Sequence, residues 1–177
     1  MRKFIGAPAA GIVLASLISF SLNSSAMAGE QQFFNGIEGN WHGPGEIVAG
    51  KYKGTKFTCT LKGITAQNAI GMDVDGSCRI GVFSQPMSAK IYKSGDAYTG
   101  RFLDGEKGEG MDVTGGRFTT SRLVVGIKRK KLDATMVARL QSNNQLNVTI
   151  SVNVQGQLVP VIGMVLKKNR RTSALQE

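Results

Sequence analysis

The chain has 177 residues, with 22 Lys and Arg against 12 Asp and Glu and one His, for a net charge of +10. That length suits one domain with a single core, and one histidine excludes a multi-histidine zinc centre. The positive charge favours anionic neighbours such as lipid headgroups, acidic polysaccharide or an acidic protein.

Residues 1–28 read as a secretory signal peptide. Arg2 and Lys3 form a positive start, residues 5–22 are apolar and uncharged, and Ala26-Met27-Ala28 ends in the small-x-small pattern cut by signal peptidase. Cleavage is expected before Gly29. An uncleaved anchor is the alternative, disfavoured because Gly6, Pro8 and Gly11 interrupt a run already short for a membrane span. The expected location is therefore periplasmic, where nucleic acid is not an expected partner, and the cleaved chain is not expected to span a membrane. The leader carries two basic residues and no acidic one, which leaves 149 residues at +8. Within them, 29–36 is expected to be a flexible segment, 37–168 a β-barrel domain and 169–177 a basic tail.

Beyond the leader, short alternating segments recur between Gly, Asp and Asn, which predicts an all-β fold: one antiparallel barrel of about eight to ten strands. Expected strands cover 39–48, 55–63, 70–79, 87–92, 98–103, 110–113, 117–120, 122–128, 132–140, 146–154 and 158–167. In 55–63, Phe57, Cys59 and Leu61 share one face while Lys56, Thr58, Thr60 and Lys62 share the other. An even cysteine count in an oxidising compartment predicts a Cys59–Cys78 disulfide. Setting Cys59 opposite Cys78 also pairs Leu61 with Gly76, Gly63 with Val74 and Thr65 with Met72, and leaves Asn68-Ala69 at the tip. A competing register turns at Asp75-Gly76. The first is preferred because every apolar residue then shares the disulfide's face. Turns are expected at Ser94-Gly95-Asp96, Asp104-Gly105, Gly115-Gly116, Asn143-Asn144 and Gln155-Gly156. Outward Lys56, Lys62, Lys90 and Arg139 argue against a lipid-facing barrel.

The opening Trp41-His42-Gly43-Pro44-Gly45, the strand KFTCTL with the first Cys, the second Cys in DVDGSCRI and the closing VPVIGMVLKK resemble a group of small exported bacterial β-barrel proteins. Gly39-Asn40-Trp41 is similar to the Gly-x-Trp of lipocalin- and avidin-like barrels. The resemblance implies the fold and the compartment. It carries over no catalytic residue and no ligand site.

Candidate chemistry is sparse. His42 is expected to face solvent while its neighbour Trp41 closes one barrel end. Asp73-Val74-Asp75-Gly76 and the acidic run 104–112 lack the spacing of a helical calcium loop. No G-x-S-x-G elbow is present, and Glu46, Asp73, Glu106 and Glu109 form no recognisable carboxylate pair. The chain is read as a non-enzyme without cofactor or metal. Two basic clusters are the strongest surface signal: Lys128-Arg129-Lys130-Lys131, and Lys167-Lys168 with Arg170-Arg171. Meeting at one rim, they would form a collar for phosphate or carboxylate. With Trp41 they are the candidate ligand-binding residues. The expected function is non-catalytic binding of an anionic or amphiphilic envelope ligand. The alternative is an interaction or inhibitor module for an envelope protein, with a fully packed interior. Small residues expected to face inward, Gly63, Gly76, Gly126 and Ala134, bear on which holds.

Overall fold

A computed structural model describes residues 24–103 and 111–169. Among these, helix α1 (Ser24–Ile37) precedes ten strands: β1 (Gly39–Ile47), β2 (Lys56–Thr65), β3 (Gly71–Ile80), β4 (Phe83–Ser94), β5 (Ala97–Leu103), β6 (Met111–Thr119), β7 (Arg122–Arg129), β8 (Leu132–Ser142), β9 (Gln145–Val154) and β10 (Gln157–Lys168). Successive strands pair antiparallel, and β1 pairs with β10, so the sheet closes into a barrel without edges. The alternation read from the chain is the alternation of inside and outside. Leu123, Val125 and Ile127 of β7 and Ala134, Met136 and Ala138 of β8 are all buried, while the residues between them are only half-buried.

The preferred cysteine register is the observed one. Cys59 stands opposite Cys78 at disulfide-bonding distance, with Leu61 opposite Gly76, Gly63 opposite Val74 and Thr65 opposite Met72. The turn at Asp75-Gly76 is excluded, because β3 runs through both residues. Pairing stops at Thr65 and Met72, so the connection is longer than the expected two-residue tip. Two-residue turns at Gly95-Asp96, Asn143-Asn144 and Gln155-Gly156 agree with expectation.

Three expectations are corrected. Gly115-Gly116 is no turn: 111–119 is one strand, and the register slips between Val113 and Gly115 as a β-bulge that bends β6 without ending it. Gly126 lies between buried Val125 and Ile127 and so faces outward. Residues 29–36, expected to be a flexible segment, belong to α1. Glu30, Phe33, Phe34 and Ile37 recur at helical spacing and are all buried, so this stretch has one face fixed against the barrel. Gly39, with φ of +109°, lets the chain leave the helix and enter β1. The bulk of the expected signal peptide, the 104–110 turn with its acids, and the tail from residue 170 lie outside the described residues.

The opening W-x-G-x-G now has a physical meaning. Trp41, Gly43 and Gly45 share the buried face of β1. A Cβ on Gly43 would lie 2.1 Å from the Val165 carbonyl oxygen, and one on Gly45 would lie 2.3 Å from the Phe57 ring. The bare positions let β1 close against β10 and leave their space to Phe57, while Trp41 fills the end of the row.

The cysteine pair closes a loop with a sequence separation of 19. Its removal in a Cys59→Ser/Cys78→Ser variant is expected to cost about 3 kcal/mol. Urea unfolding followed by far-ultraviolet circular dichroism measures this, and an unchanged midpoint in oxidised protein would contradict the pairing.

Candidate functional site: the barrel lumen

Antiparallel succession sorts the connections into two ends. One end carries α1, the start of β1, the end of β10 and the hairpins at 66–70, 95–96, 120–121 and 143–144. The other carries the β1–β2 loop and the hairpins at 81–82, 130–131 and 155–156. These are the closed end and the open rim.

At the closed end α1 lies across the barrel mouth. Phe34 is fully buried, its ring centroid 5.5 Å from Phe33 and 6.0 Å from Tyr98, and Phe33 reaches Phe118 at 5.2 Å. Trp41 Nε1 donates to the Ile37 carbonyl at 2.6 Å and ties the helix to β1. Lys168 Nζ donates to the Gly36 carbonyl at 3.1 Å and sits 5.5 Å above the Trp41 ring. The Lys93 ammonium pairs with the buried Glu30 carboxylate, joining α1 to β4. Loss of one member would leave the other charge desolvated, so this pair pins the helix in place.

Burial falls toward the open rim. Along β4 it runs from buried Ile91 and Ala89 through half-buried Met87 to exposed Gln85 and Phe83; along β9 it runs from buried Leu146 and Val148 through Ile150 and Val152 to exposed Val154. Between the ends lies a cavity of about 150 Å³. Phe34 and Ile37 form its floor, and of its nineteen lining residues only Ser88 is polar. A cavity of this volume with so apolar a wall has room for a benzene-sized group. Met72, Met87, Met136 and Met164 contribute to the wall. Unbranched thioether side chains repack around guests of different shape.

A wider cleft of about 600 Å³ flanks α1 at the closed end, bounded by Gln32, Asn35, Ser121, Ser142 and Asn143. It is open to water, and among the described residues its one cation is Lys168, already engaged with Gly36.

The candidate residues from sequence divide accordingly. Trp41 closes the end as expected, but it lies outside the cavity wall, so its role as a ligand contact is not supported. Lys128, Arg129, Lys130 and Lys131 flank the β7–β8 turn at the open rim, whereas Lys167 and Lys168 end β10 at the closed end. The single collar does not form, because β10 carries its basic end to the far side of the barrel. Arg170 and Arg171 lie outside the described residues. His42 is exposed, its ring nitrogen 2.9 Å from Thr60 Oγ1. Asp73 accepts from Tyr92 and lies 3.5 Å from Lys90, and Asp112 lies 3.6 Å from Arg101. Among the described residues no three His, Cys, Asp or Glu side chains group closely enough to hold a metal. The functional element that sequence reasoning missed is α1; its signal was the 30, 33, 34, 37 spacing, hidden because the first member is a glutamate. Neither a protein-family model nor a curated protein matches the sequence.

Two tyrosines have raised pKa values. The Tyr92 phenol is pushed up to about 12 by its hydrogen bond to Asp73, then by burial and the Asp73 charge. Tyr98 is raised by burial and, second, by the Glu30 carboxylate, although its hydroxyl completes no hydrogen bond among the described residues. Above pH 10 the unfolded chain releases these protons while the folded barrel retains them, so stability should fall as pH rises from 10 through 12. Tyr98→Phe removes an unsatisfied buried hydroxyl. At neutral pH it is expected to leave stability unchanged or raise it by up to about 1 kcal/mol, and to lessen the alkaline loss. Denaturant titrations at neutral and alkaline pH check this; a large neutral-pH loss would show that the hydroxyl is bonded.

Proposed function

We propose that this protein is a non-catalytic carrier that receives the apolar part of an anionic or amphiphilic envelope molecule in its lumen through the open rim. The observation that carries the reading is the cavity: apolar but for Ser88, floored by α1, with burial falling toward the opposite end among the described residues. Its described wall holds no acid or base and a single hydroxyl, Ser88, while four methionines make it adaptable. The rim cations at 128–131 stand where an anionic headgroup would remain after its tail had entered. The compartment we propose is the periplasm, on the strength of the leader at residues 1–28 and the Cys59–Cys78 pair. Outward Lys56, Lys62, Lys90 and Arg139 are all exposed, the reverse of a lipid-facing band. An interaction module with a packed interior accounts less well for the void.

Decanoate is a suitable probe, with a chain to bury and a carboxylate to leave at the rim. Native mass spectrometry and isothermal titration of the purified protein are expected to show a single bound decanoate. Ala89 lies between Val74 and Phe102 on the cavity wall. Ala89→Trp, or the gentler Ala138→Leu, should weaken binding by about tenfold or more while leaving the β-sheet dichroism intact. Affinity unchanged in both folded variants would remove the lumen as the site.

A further inference from the structure

The β3–β4 hairpin does not behave as a turn in water should. Ile80 pairs with Phe83 across Gly81-Val82, and Gly81, with φ of +57°, occupies the first central position that a type II′ turn reserves for glycine. The next position, where a polar residue is the common choice, holds Val82 at 89% exposure, followed by Phe83 at 78%. Nothing in the fold asks for them, since neither packs on the core. Ile80 and Phe83 share the parity of Cys78 and Gln85, so the lumen-facing row runs on past the mouth as an apolar spur.

Other apolar side chains stand at the same rim: Tyr52 at 63% exposure, Leu158 at 56% and Val154 at 50%. Cations accompany them. Lys51 and Lys53 lie in the β1–β2 loop and Lys128, Lys130 and Lys131 at the β7–β8 turn, all exposed. At the foot of the spur a cleft of about 200 Å³ is lined by Lys56, Phe57, Thr58, Arg79 and Gly81. Thr58 pairs with Arg79, so Lys56 and Arg79 are close neighbours on the outer face; Glu46 stands opposite Lys56 on β1, and neither cation makes an ion pair within 4 Å among the described residues. The β5–β6 connection, outside the described residues, holds Asp104, Glu106 and Glu109 with Lys107 in sequence, and Asp112 and Asp133 stand opposite Lys128 on the neighbouring strands.

We infer that the open rim is a docking surface for an anionic phospholipid bilayer, with the β3–β4 tip inserted among the lipids and the Lys56–Arg79 cleft receiving a phosphate headgroup. The combination of protruding apolar tips with clusters of cations is the complement of such a surface: acyl chains take Val82 and Phe83, and phosphates take the lysines. A protein partner would more readily match the tips alone, without need of the flanking charge. The inference rests on the lumen-carrier reading for its purpose, because docking sets the mouth against the source of the cargo. Its geometry is independent of whether the lumen fills.

Sedimentation of the full-length mature protein with vesicles of equimolar phosphatidylglycerol and phosphatidylcholine tests it, beside vesicles of phosphatidylcholine alone. Wild type should pellet with the first and not the second, and release as salt is raised. Val82→Asp/Phe83→Asp, in a solvent-exposed turn, should lower the vesicle-bound fraction about tenfold or more while decanoate binding in solution is retained. Lys56→Glu/Arg79→Glu should lower it and flatten its salt dependence. Undiminished pelleting of the tip variant would overturn the inference. So would a wild type that binds decanoate but neither vesicle, leaving the carrier reading intact, or one that self-associates through the tip in place of pelleting. A wild type that pellets yet ignores decanoate would sustain docking and sink the carrier.

Discussion

The width of the sheet governs everything else in this molecule. A closed barrel of about eight strands is just filled by its own side chains. Here β1 reaches β10 only after ten strands among the described residues, with Gly43 and Gly45 bare so that the seam can close. The ring is then too broad for its inward row to fill. Phe33, Phe34 and Ile37 of α1 occupy the surplus space at one end, and a cavity of about 150 Å³ remains behind them. Plug and cavity are two consequences of one strand count.

Polarity between the ends follows. Fixing the helix takes specific polar ties: the buried Glu30–Lys93 pair, the Trp41 indole on the Ile37 carbonyl, and Lys168 on Gly36. Those ties commit a lysine from β4 and one from β10 to the closed end. The remaining basic cluster, at 128–131, faces the open rim beside the β3–β4 tip. What composition presents as one strongly basic surface is thus two populations of cations. One ties the helix to the barrel, and the other stands at the mouth, where Lys128, Lys130 and Lys131 are exposed.

Much of this was legible in the chain, for definite reasons. Period-two alternation marks strands whose two faces meet different media, and the cysteine register could be tested because a slip of one residue would have turned Leu61 and Val74 outward. Trp41 at the barrel end and the two-residue turns were equally readable. Glycine defeated the local reading in two ways. Gly115-Gly116 spells a turn yet serves as a bulge, and Asp75-Gly76 spells a turn yet lies mid-strand opposite Lys62 and Leu61. Long-range pairing decided both. The helix escaped notice because Glu30 sits at the head of its buried face, and its partner Lys93 is 63 residues away. The collar was a matter of strand direction, which a list of charges does not contain.

The claim of a hollow, methionine-lined lumen is open to a direct test. Carbon-13 methyl spectra of the protein labelled at methionine, titrated with decanoate, report on the cavity wall residue by residue. Shifts concentrated at Met72, Met87, Met136 and Met164 are the predicted result. Saturable binding that leaves those four methyls unperturbed would place the ligand elsewhere and contradict the account.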